Sequence, residues 1–239
     1  MRLKLATVLI LLLFASSAGA SELSRFNAAV AEAYTHYRTA AFYLHTGNPG
    51  VAEFELQQAA ALWNEKVMPF RDAVPDAFAD DAAWGGTLDD VDARLRQAQD
   101  LVQGNDAPAA EEVLLPIRDA LADLRARSGV RVFSDCIDEA NAAMDALWVF
   151  RHEPPDFTDA AAVNALRAQT AVTAYLYERC QAEAPPEVAE TPEFQRIMEG
   201  TLTSLSRLWP AIDAGDAEVV ISILREIRSF DRMLWLQFG

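Results

Sequence analysis

Apolar residues recur three and four positions apart along almost the whole chain, a spacing that admits helices and little else. Phe26, Val30, Ala33, Tyr37, Ala40 and Leu44 set one face of a first helix, expected over 22–46. Thr46-Gly47-Asn48-Pro49 ends it, since Gly47 can take a left-handed conformation, Asn48 can cap and Pro49 suits a first turn. A second helix is expected over 49–67, with Val51, Leu56, Ala59, Leu62 and Trp63 inward. Residues 68–86 are irregular, broken by Pro69, Pro75 and Gly85-Gly86, with a short helix over 76–83. Thr87 then begins an acidic capping pattern for a third helix, to about Gln103. Gly104-Asn105-Asp106 repeats the earlier turn chemistry. A fourth helix over 107–127 contains Pro116, where a kink is expected.

The second half centres on a hairpin. Two helices, 131–152 and 159–182, flank Glu153-Pro154-Pro155-Asp156-Phe157-Thr158. Cys136 and Cys180 lie about 20 and 24 residues from the proline turn, so folding the rods together brings the sulfurs within roughly one helical turn of level. A structural disulfide follows, preferred over a reactive or metal-binding pair because the spacing is wide and both cysteines sit inside helices. Glu183 to Glu190 forms a connector. Thr191-Pro192 opens a seventh helix, and Gly215-Asp216 separates it from a last one over 217–237, with Val220, Ile223, Leu224, Ile227, Phe230 and Leu234 inward.

The fold class is therefore all-α, with about eight helices in antiparallel hairpins. Two up-and-down four-helix units are expected, 21–128 and 129–239, with a superhelical stack of hairpins as the alternative. At an offset of about 107 residues, Phe26, Val30, Glu32, Ala33 and His45 match Phe133, Ile137, Glu139, Ala140 and His152, which suggests a duplicated unit. No fixed period near 34 residues supports a stack.

Residues 1–20 read as a signal peptide: Arg2 and Lys4, an apolar run Val8 to Phe14, and the small-residue site Ala18-Gly19-Ala20. The run is too short to span a bilayer, and no later stretch approaches the required length. Cleavage would remove two of the 20 basic residues and none of the 36 acidic ones, taking the formal charge from −16 to −18. Such a surface disfavours nucleic acid and leaves a protein or a small cationic ligand as partner. Lysine occurs only at 4 and 66 against abundant Arg and Ala, the usage of a GC-rich bacterium, so export points to the periplasm.

Standard signatures for haem attachment, di-iron, zinc, phosphate loops and nucleophile elbows are absent from the sequence. Glu32 and His36, one turn apart on the first helix, are a candidate metal pair needing a third ligand from elsewhere. Tyr34, His36 and Tyr43 are a candidate ligand or groove set on the most aromatic helix, with Tyr37 and Phe42 beside them. His45 and His152 occupy helix C-termini, where a donor meets the dipole. The nine aspartates between Asp72 and Asp106 lack the alternation and central glycine of a calcium loop. Asp135, Asp138, Asp145 and His152 read as a wet edge. Arg228 and Asp231, three apart in an apolar helix, can pair to fix register. The leading functional expectation is an exported, non-enzymatic binding or scaffolding bundle without a cofactor. The alternative holds a metal ion or haem through Glu32, His36 or one of Met68, Met144, Met198 and Met233. An enzyme ranks last, because no acid/base pair or activated nucleophile is visible.

Overall fold

The computed structural model describes residues 3–239, with side chains from residue 22 onward. The expected signal peptide lies outside the described side chains. All regular structure among the described residues is helical, as the periodicity predicts. The chain divides into two compact units, Met1–Arg131 and Val132–Gly239.

In the first unit, α1 (Leu3–His45) turns into α2 (Pro49–Leu62), which runs on as a π-helical turn, Trp63–Val67, and a 3-10 turn, Met68–Arg71. A second 3-10 turn, Asp76–Phe78, precedes α3 (Trp84–Gln103). The fourth rod is broken into α4 (Ala107–Leu114) and α5 (Pro116–Arg127). The break is the kink expected at Pro116: proline has no N–H to give the preceding turn, although Leu115 stays helical in φ and ψ. The rods close into a ring, α1 on α2, α2 on α3, α3 on α4 and α4 back on α1. Every residue of the expected α1 face is buried. Phe26 anchors one end against Phe70, Phe78 and Trp84, with ring centroids 4.8 to 5.5 Å away.

In the second unit, α6 (Phe133–His152) and α7 (Ala160–Glu183) form the cysteine hairpin. The short α8 (Pro186–Ala189) leads to α9 (Pro192–Ala214) and α10 (Ala217–Phe238). Here too the ring closes: α6 on α7, α7 on α9, α9 on α10 and α10 on α6. Cys136 and Cys180 are joined as a disulfide, fully buried, with Cα atoms 5.5 Å apart. Asp159, Thr191 and Asp216 each accept from the first free N–H groups of the helix that follows, and Gly215 takes a left-handed φ of 65° to end α9.

Two local expectations need correcting. Gly85-Gly86 does not break the chain; α3 starts at Trp84, and Thr87 lies inside it, donating back to the Ala83 carbonyl. The indole N–H of Trp84, shared between the Phe70 and Arg71 carbonyls at 3.2 Å, pins the helix start ahead of the glycines. At 104–106 the left-handed residue is Asn105 (φ 61°), not Gly104, because asparagine tolerates that region.

Candidate functional site

The residues that the sequence singles out on α1 are each engaged, and with different neighbours. The Glu32 carboxylate takes the Lys66 ammonium, both oxygens at 2.6 Å. His36 Nδ1 meets Glu55 Oε2 at 2.6 Å. Glu32 and His36 thus clamp α1 to the α2 rod through two separate bonds rather than converging on one point. Among the described residues, no three His, Cys, Asp or Glu side chains gather as a metal set would. Tyr34 leans on Tyr37, centroids 4.8 Å apart, with the Arg38 guanidinium 5.5 Å from its ring. It borders a hollow of about 10 Å³ with Ala33, Trp63 and Leu95, room for one water at most. Tyr43 meets only the edge of Phe42 in this set, at 5.4 Å. Tyr34, His36 and Tyr43 thus each meet different neighbours.

His45 Nδ1 reaches Glu111 Oε1 at 3.0 Å, tying the end of α1 to α4. At the end of α6, Arg151 donates to His152 Nε2 at 2.9 Å and lies 4.9 Å over the Trp148 ring. Met144 and Met198 belong to the core of the second unit, and Met233 packs against it.

A polar network runs through that same core. Asp231, only 3% exposed, accepts from the Tyr177 hydroxyl at 2.5 Å and from the Asn141 amide, and Arg228 donates to its other oxygen at 3.0 Å. Arg228 also bonds Asp145 at 2.6 Å and sits 5.7 Å from the Trp148 ring. Burial pushes the Asp231 carboxyl above the usual carboxylate range, against the opposing pull of Tyr177, Arg228 and Asn141. Burial, then the neighbouring Asp231 charge, holds the Tyr177 hydroxyl well above its ordinary value. Five helical positions on three rods are thereby locked in register. The Arg228–Asp231 pair is the part the sequence shows. Tyr177 and Asn141 escaped, although Asn141 is a polar residue on the α6 core stripe between Ala140 and Met144, a visible signal. Asp145 is not merely wet: it is the second carboxylate on Arg228.

The outer face of the α6–α7 hairpin is the site that the core does not explain. Between Asp159 and Glu178, α7 carries no acidic residue, and its one charge, Arg167, bonds Asp213 on α9 at 2.6 Å. Ala161, Ala165, Ala168, Val172 and Tyr175 are all exposed, Val172 by 49% and Tyr175 by 60%. On α6, Ala142, Ala146 and Val149 are exposed as well, Val149 by 52%. The two rows lie level with one another. Gln169 and Thr173 both donate to the Ala143 carbonyl, at 2.9 and 3.2 Å, which puts Ala142 and Ala146 at about the level of Val172 and Ala168 along the hairpin. The strip ends at an ionic cluster in which Arg179 meets Glu139 and Glu183. A face that is apolar where solvent is expected is the mark of a contact surface.

No helix among the described residues is long and apolar enough to cross a membrane. The chain matches no family model, no curated protein and no solved structure.

Proposed function

We propose that this chain is an exported, periplasmic binding or scaffolding protein, without catalytic chemistry of its own, that engages a protein helix through the α6–α7 outer face. One observation carries the reading: an uncharged, solvent-facing strip of Ala142, Ala146, Val149, Ala165, Ala168, Val172 and Tyr175 on a chain of formal charge −16. The strip is built largely of alanine, which lets another helix approach closely, while Tyr175 and Val172 supply apolar area. The buried disulfide fits an oxidising compartment, and the signal-like residues 1–20 fit export to it.

A photo-crosslinking residue placed at Tyr175 in bacteria tests this, with a control at Glu218, which is exposed on α10. A discrete adduct at Tyr175 that disappears when Ala168→Glu is added supports the proposal. Equal labelling at both positions, or an adduct indifferent to Ala168→Glu, removes it. Stoichiometric metal or a Soret band lost on His36→Ala would instead install the metal- or haem-holding reading.

A further inference from the structure

We infer that the helix seated on the α6–α7 face is α7 of a second copy, antiparallel across a two-fold axis near Thr170. The inference rests on the proposed binding role of that face and names its partner. Ala161, Ala165, Ala168, Val172 and Tyr175 are spaced alternately four and three apart, the seam of a two-helix coiled coil. This seam lies on the exposed side of α7, whereas Val163, Leu166, Thr170, Thr173 and Tyr177 are spent on the core.

The seam is self-complementary when read backwards against itself. In the antiparallel register centred on residue 170, Tyr175 lies over Ala165 of the second copy and Val172 over its Ala168, so each layer pairs a large side chain with an alanine. At the flank, Glu178 comes opposite Ala162 of the second copy with Asn164 diagonally beside it, an amide donor rather than another carboxylate. A two-fold contact must satisfy this kind of self-matching. Charge argues the same way. Two copies of a strongly acidic chain repel, and the acid-free span of α7 lets them approach without opposing carboxylates.

Area sets the strength. Eighteen helical residues extend about 27 Å. With α6 alongside at about 10 Å, the strip covers roughly 500 Å² per copy. About 1,000 Å² in total is the lower limit for a specific interface. The dimer should accordingly be weak and concentration-dependent, with a dissociation constant in the micromolar range.

Sedimentation equilibrium of the mature, oxidised protein from about 1 to 200 μM reads this directly. A reversible monomer–dimer equilibrium is expected, tightened by added salt as the like net charges are screened. Ala168→Glu places two carboxylates near the axis and should weaken self-association at least about tenfold. Ala168 is exposed and helical, so circular dichroism should match the parent. Mixing Ala168→Glu with Ala168→Lys should restore a mixed dimer, which a merely misfolded variant would not do. A parent that stays monomeric at 200 μM overturns the inference, as does a dimer that survives Ala168→Glu. If the parent is monomeric while Ala168→Glu still abolishes the Tyr175 adduct, the face binds another protein: self-pairing falls and the binding role stands. If Ala168→Glu changes neither, both fall.

Discussion

Asp231 carries the most consequential buried charge in the second unit, and its environment fixes the sign of a pH effect. Burial raises its pKa above the unfolded value, so the folded chain binds that proton more tightly. Its contribution to stability therefore increases as pH falls through the window between the raised folded value and the unfolded one, and its burial is a full cost above that window. Asp231→Asn keeps one acceptor oxygen for Tyr177 and Asn141 but turns an amide NH2 onto the Arg228 donor, and the donors left unsatisfied should cost about 1–3 kcal/mol at neutral pH. The stability gap between parent and variant, from urea denaturation at several pH values, should widen on acidification through the window. A gap that narrows there would mean that the fold lowers this pKa rather than raising it. The sequence shows half of this arrangement. Arg228 and Asp231 are neighbours on one helix, whereas Asn141 and Tyr177 approach from 90 and 54 residues away, and only packing brings them in.

Helix α9 presents Gly200 directly to the Phe230 ring of α10. A Cβ built there would collide with the end of the Phe230 ring, so the glycine is what lets the two rods approach. Alanine gains about 1 kcal/mol of helix propensity. Overpacking against the half-buried ring costs about 1–3 kcal/mol. We expect Gly200→Ala to be destabilising by up to about 2 kcal/mol, and Phe230→Leu added to it to recover most of the loss. A single variant with an unchanged or raised denaturation midpoint would show that the ring simply turns aside. Elements were more legible than such contacts. The apolar faces of α1 and α10, the turn at Gly215-Asp216 and the break before Pro116 follow from spacing and from proline and glycine chemistry alone. Gly85-Gly86 misled, because the start of α3 is set by an indole bond to a distant carbonyl and not by local propensity. The π turn at Trp63–Val67 left no local mark. The candidate set on α1 was legible as residue types but not as geometry, since the lysine and glutamate that occupy Glu32 and His36 come from the neighbouring rod.

The two units repeat one circuit. Each closes four rods into a ring, and each clamps its first hairpin with an ion pair, Glu32–Lys66 in one and Glu139–Arg179 in the other. The second unit adds the disulfide, and its core is drawn wholly from residues beyond Val132. That core includes Phe194, Ile197, Leu208, Ile223, Leu224 and Leu234, contributed by α9 and α10, with Ile137, Met144 and Leu166 from the hairpin. A stretch that supplies its own core and both cysteines has what independent folding requires. Residues 132–239, exported and oxidised, should therefore give a helical spectrum and one cooperative urea transition. Replacing both Cys136 and Cys180 with alanine releases a 44-residue separation in the unfolded chain. The chain-entropy model sets that loss at about 4 kcal/mol. Against the 5–15 kcal/mol typical of whole domains, the stretch without its disulfide becomes marginal, and its transition should move to much lower denaturant with a somewhat steeper slope, because the uncrosslinked unfolded chain exposes more surface. A gradual, non-cooperative loss of helix in the oxidised stretch would show that the second unit depends on the first. An unchanged midpoint without the disulfide would show that the buried core alone holds α6 against α7.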